Sequence, residues 1–203
     1  MTSAASSSRL ERLRTWVRGR RDDISMMPQA GVLHERLQAL NHCIWPYAVL
    51  ALLAVPPAMS AWSLGPDPLI DFGRELYVPW RLSEGATLYR DLAYFNGPLS
   101  PYVNAGWFAL FGASLKTLLW ANVVVFAATT AVAFHLFERL ANRRVALVAA
   151  AMLPLVFGFG NYTTVPNYNF LTPYSHEMTH GLLAGLLTLL ATFRVREGKL
   201  VPA

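Results

Sequence analysis

Four stretches of the chain, residues 37–66, 92–115, 117–137 and 145–176, contain no Asp, Glu, Lys or Arg and are rich in Leu, Ala, Val and aromatic residues. A helix needs roughly 20 mostly apolar residues to cross the hydrocarbon core of a bilayer. The pattern predicts an all-α polytopic membrane protein with four spans, near residues 44–64, 115–136, 145–160 and 178–193. Pro56 and Pro57 fall inside the first span and predict a kink in its outer half. The stretch 92–115 is interrupted by Asn96-Gly97-Pro98-Leu99-Ser100-Pro101, a loop or helix-start signal that leaves residues 102–111 as helix. That is too short to cross, so the expectation is an amphipathic juxtamembrane helix on the outer face.

Composition supports this reading. With 54% hydrophobic and 14% charged residues, the chain is too apolar for a soluble fold. The net charge of +5 raises the question of nucleic-acid binding, but the basic residues sit at the ends of the apolar runs and not on one face. They fix a topology instead. With four spans and the N-terminus inside, thirteen of the seventeen Lys and Arg residues are cytoplasmic, as the positive-inside bias requires. A fifth span at 92–115 would turn Arg139, Arg143 and Arg144 outward.

The expected organisation is a basic cytoplasmic segment (1–43), a membrane domain (44–199) with external loops at about 65–114 and 161–177, and a cytoplasmic end (200–203). Seven arginines precede the first span, which reads as an uncleaved anchor with both termini in the cytoplasm, in a bacterial inner membrane. Leu10, Leu13 and Val17 recur at helical spacing among those arginines, as in a helix lying on the anionic leaflet or in a solvated basic arm. The single cysteine, Cys43, excludes an internal disulfide.

The polar residues worth attention are in the external loops. On a helix, Asp71, Arg74 and Glu75 stand at i, i+3 and i+4 and share a face. A carboxylate beside a guanidinium suits a base that takes a proton while the cation holds an anion such as phosphate; a capped helix start with a surface ion pair is the structural alternative. The second loop, residues 161–180, is rich in Asn and Tyr, as a headgroup- or carbohydrate-facing surface would be, or an aromatic anchor; Asn161-Tyr162-Thr163 fits a glycosylation sequon. It ends in His176-Glu177-Met178-Thr179-His180, a match to H-E-x-x-H that makes His176, Glu177 and His180 candidate ligands of a divalent metal such as zinc. A catalytic zinc needs a third protein ligand, and only Asp71 or Glu75 could supply one, because Glu197 falls on the other side of the membrane.

The segments Asp71-Phe72-Gly73-Arg74-Glu75-Leu76-Tyr77, Gly85-Ala86-Thr87-Leu88-Tyr89-Arg90-Asp91 and Tyr94-Phe95-Asn96-Gly97-Pro98-Leu99-Ser100-Pro101-Tyr102 together resemble the first external loop of the C-superfamily glycosyltransferases that use polyprenyl-phosphate donors. The likeness is to the family 39 protein mannosyltransferases and the lipid A aminoarabinose transferases. Those enzymes have an acidic residue just after the first span, a glycine-to-Tyr-x-Asp step and a proline-rich start to a juxtamembrane helix. The resemblance implies that Asp71 is the catalytic base, that a helix at 102–111 borders the cavity and that the donor is a polyprenyl-phosphate-linked sugar. Its other partners would be an acceptor protein or lipid and the bilayer. Arg74, Glu75, Arg90 and Tyr102 become substrate-binding candidates; His176 and Glu177 join them by their place on the same outer face. Many family members carry two adjacent acidic residues where this chain has Asp71-Phe72. They also have further spans, so the chain is expected to be an N-terminal portion of such an enzyme, with the remaining spans supplied elsewhere. The competing expectations are a membrane zinc protease and a non-enzymatic scaffold or lipid-binding protein.

Overall fold

A computed structural model describes residues 15, 28–62, 64–65, 72–160 and 169–197. The expected basic helix around Leu10 to Val17, Asp71 and the Asn161 sequon lie outside the described residues, apart from Thr15. The chain divides into two compact units, Met1–Pro46 and Tyr47–Ala203, and α1 (Pro28–Trp62) runs from the first into the second. Within the first unit, Glu35, Arg36 and Gln38 of α1 are exposed.

The second unit continues with α2 (Gly73–Ser83), α3 (Leu99–Phe111), α4 (Leu115–Leu140), α5 (Arg143–Met152) and α6 (His176–Arg196). Among the described residues there is no strand, only an isolated bridge between Leu88 and Leu92. Among the described residues, three segments are long and apolar enough to cross a membrane: Leu40–Trp62, Leu115–Leu140 and His176–Arg196. They match the expected first, second and fourth spans: the first is shifted toward the N-terminus, the second is longer at its C-terminal end and the fourth at both ends. The expected third span is α5 followed by a π-helical turn, Leu153–Phe157. Pro154 has no amide hydrogen to give the preceding turn, so the α-helical register slips there.

Local chemistry sets the boundaries. Ser114 caps α4 by accepting from the amide of Thr117 (3.1 Å), and the Asn142 side chain caps α5 by accepting from the amides of Arg144 and Val145 (3.1 Å each). Gly85, at φ +96°, closes α2: its amide reaches Leu82 O and that of Ala86 reaches Arg81 O, the Schellman arrangement. The helix expected at 102–111 begins three residues earlier, at Leu99, with Pro98 at its N-cap. Pro101 is accommodated because the amides of a first turn have no intrahelical acceptor.

In the second unit, ring pairs fix the direction of α1 against α4. Trp62 meets Trp120 at 5.4 Å and Tyr47 meets Phe134 at 5.2 Å, so the two helices run antiparallel. Helix α6 runs parallel to α4, because Arg139 at the end of α4 pairs with Glu197 just beyond α6 (3.1 Å). The start of α4, the start of α6 and the end of α1 therefore share one end of the bundle, and α2 and α3 gather there. Phe72, Phe108 and Leu118 form the core of that gathering. Beside it Ala61, Phe126, Phe159, Phe170 and Leu171 pack together, tying residues 169–175 onto the helices.

Candidate functional site

The site assembles where α2 meets the start of α6. Glu75 lies in the first turn of α2 and its side chain is only 4% exposed. Burying a carboxylate costs several kcal/mol unless partners replace its water. Here both oxygens are used. Oε1 accepts from Nη2 and Nε of Arg74 (2.8 and 3.1 Å), and Oε2 lies 2.6 Å from Nδ1 of His176. The His176 amide also points at Oε2, at 3.4 Å, so Glu75 places its negative charge at the positive end of α6. Burial alone pushes the Glu75 pKa up. The hydrogen bond and charge of His176, and then those of Arg74, outweigh it and hold the carboxyl below its ordinary value.

With Glu75 ionised, Nδ1 of His176 carries the proton and donates it to Oε2. His176 is fully buried, and its Nε2 has no hydrogen-bond partner. Glu177, the next residue, is satisfied from the other side: Tyr94 donates its hydroxyl to Oε1 and Ser175 donates its hydroxyl to Oε2. Burial, together with the Glu177 hydrogen bond, raises the Tyr94 pKa and keeps the phenol protonated. The guanidinium of Arg74 lies over the rings of Tyr94 (5.9 Å) and Phe95 (5.0 Å), which closes a loop of contacts through Arg74, Glu75, His176, Glu177 and Tyr94.

The structure thus brings Arg74, Glu75, His176 and Glu177 together, and puts Tyr102 with Glu177 along one cleft of about 630 Å³. Arg90 is held elsewhere, in an exposed pair with Asp91 (2.8 Å). That pair and the Thr87 amide lower the Asp91 pKa to about 2. The turn between them puts Tyr89 at φ +66°, with its hydroxyl donated to the carbonyl of Asn96. The rings of His176 and His180 are 6.0 Å apart. Among the described residues, no three His, Cys, Asp or Glu side chains are grouped to hold a metal ion.

Sequence reasoning missed Tyr94, Ser175 and Asn104. Tyr94 and Ser175 matter only because residue 94 meets residue 177, a pairing without local signal. Asn104 sits inside an apolar helix, fully buried with both amide atoms unpartnered, and that setting was a signal that could have been read. In the described part of the second loop, Asn169, Phe170, Leu171 and Thr172 are buried and Tyr174 is exposed. Asn169 accepts from the Thr172 amide (2.6 Å), and Asn122 of α4 donates to Leu171 O (2.9 Å). Comparison with protein families, with curated proteins and with solved structures finds no match for this chain.

Proposed function

We propose that the chain is the N-terminal portion of an inverting glycosyltransferase that moves a sugar from a polyprenyl phosphate to an acceptor on the outer face of a membrane. The observation that carries this reading is the 2.6 Å contact between Glu75 and His176, 101 residues apart, which joins the two expected outer loops into one polar site at the end of apolar helices. The four-span topology with the N-terminus inside is part of the proposal. It is supported by the helical bundle of the described residues, in which Arg139, Arg143, Arg144, Arg194 and Arg196 lie at the helix ends opposite this site.

Asp71, one residue before the buried Phe72, takes the proton of the acceptor hydroxyl as that oxygen attacks the anomeric carbon. The bond from that carbon to the phosphate oxygen breaks, and the lipid phosphate leaves with the electron pair. Arg74 uses Nε and Nη2 for Glu75, and its charge, with Nη1, faces the leaving phosphate. An apolar groove of about 570 Å³ between α1 and α4, lined by Leu50, Ala54, Trp62, Trp120, Val123 and Phe126, has the character a polyprenyl tail requires.

In membranes containing the protein, release of polyprenyl phosphate from a radiolabelled hexosyl polyprenyl phosphate should fall about 100-fold or more in Asp71→Asn. The amount of folded protein should be unchanged. Transfer by that variant at near the original rate would remove Asp71 from the role.

A further inference from the structure

Among the described residues, and apart from Arg143, which is paired at the opposite end of the bundle, the buried side-chain atoms that lack a hydrogen-bond partner all belong to three residues. They are Nδ2 and Oδ1 of Asn104, Nε2 of His176 and Nδ1 of His180. Asn104 is on α3, the histidines are on the first turns of α6, and these two helices pack on each other. The register places the three residues opposite one another. Ser100, one turn before Asn104, lines the same cleft as Glu177 and Gly181. Phe108, one turn after Asn104, packs with Phe72, whose ring lies 6.2 Å from that of His176. Asn104 is thereby bracketed on the face of α3 that looks onto the His176–His180 turn.

An unmade hydrogen bond on a buried group costs about 1–3 kcal/mol, and such groups are a few per hundred residues in folded proteins. Four such atoms on the two helices of a single interface, beside an open cleft, are arranged for something that enters. Their chemistry narrows what that is. An amide offers two donor hydrogens and an acceptor, Nε2 of the His176 tautomer that donates from Nδ1 offers an acceptor, and Nδ1 of His180 offers one or the other according to its tautomer. Hydroxyl groups, which both donate and accept, fit this set. An anion does not, because the buried carboxylate of Glu75, bonded to His176 itself, repels it. An ammonium group would need a free carboxylate, and both oxygens of Glu75 and of Glu177 are already taken.

We infer that Asn104, His176 and His180 form a subsite for a neutral polyhydroxylated ring, entered from the cleft between Tyr102 and Gly181. The inference rests on the glycosyltransferase reading for its place in the reaction, as the seat of the sugar on the donor lipid or of a saccharide acceptor, but not for its chemistry.

Two measurements on the protein in lipid nanodiscs test it. Asn104→Leu, which swaps an uncompensated amide for an apolar side chain of similar size, should raise the unfolding temperature by about 2–5 °C. A fall would mean that the amide is satisfied within the fold and would overturn the subsite. Binding is then followed by saturation-transfer NMR with methyl hexosides and by tryptophan fluorescence with lipids. Neutral hexosides or hexosyl polyprenyl phosphate should bind at least tenfold more weakly to Asn104→Leu and to His180→Gln than to the parent. Bare polyprenyl phosphate should bind equally to all three proteins. A preference for the lipid-linked over the free sugar assigns the site to the donor, and the reverse to an acceptor. Failure of every neutral sugar to bind the parent, equal binding to the variants, or tighter binding of hexuronates or aminohexosides each sinks the inference. Sugar binding that depends on Asn104, in a protein without any transfer activity, would leave the subsite standing and remove only the transferase reading.

Discussion

The two ends of the bundle are each tied by an acid paired with a base on another element, and the two ties differ in kind. At one end Glu75 meets His176 with side chains 4% and 0% exposed; at the other Arg139 meets Glu197 with side chains 23% and 40% exposed. The exposed tie is an ordinary surface pair in which water does much of the work on either partner, worth about 0–1 kcal/mol. The buried tie is a poor way to gain stability, since an apolar pair of the same shape often does as well. It also leaves Nε2 of His176 without a partner. Expensive chemistry placed where cheap packing would serve marks the first end as the working end.

The sharpest test of this contrast removes one partner at each end. Glu75→Leu should destabilise the protein by about 3–5 kcal/mol in denaturant titration, because His176 and Arg74 are left facing an uncompensated site. Adding His176→Leu to that variant should recover a large part of the loss, whereas additive losses would show that the two residues act independently.

Acid offers a second route. Glu75 is held below its ordinary pKa of 4.5, so the unfolded chain takes up the proton first. The stability it contributes is complete above about pH 4.5 and is lost as the pH falls through the lower native value. Thermal unfolding followed from pH 7 to 3 should show this loss in the parent and not in Glu75→Gln. A smaller effect belongs to Tyr94→Phe, which deprives Glu177 of a donor and should cost about 1.5–3 kcal/mol by the same titration. The smallest belongs to Arg139→Ala, expected to cost less than about 1 kcal/mol and to fade further in high salt. A loss as large as that of Glu75→Leu would erase the distinction between the ends.

Much of this architecture was readable in advance, and particular residues show why. Ser114 stands immediately before an apolar run and Asn142 two arginines before another, and each caps the helix that follows, so the starts of α4 and α5 follow from local hydrogen bonding. The two helices that gather at the working end were less well placed. The start of α3 lies three residues before the expected one, because Pro101, read as part of a loop or helix-start signal, is harmless within a first turn. Glu75 was recognised beside Arg74 by spacing, and His176 as half of a metal motif and as a substrate-binding candidate on the same outer face, but their direct pairing was not read. Nothing in either segment specifies the other across 101 residues.

A close approach of the same non-local kind occurs at Gly158, where an added Cβ would come within 2.7 Å of the Phe126 ring, which Phe159 and Phe170 hold in place. Only the fold makes a side chain at that position impossible without repacking.

The sequence by itself determined that the chain is helical, roughly where its apolar helices lie, and which ends carry the arginines, because backbone hydrogen bonding and transfer to hydrocarbon act on residues a few positions apart. The tertiary structure decided which polar groups are buried together and which buried atoms remain without partners. Burial is a property of the packed bundle, and a carboxylate, an imidazole or an amide acquires its cost, and with it its use, only when other helices take its water away.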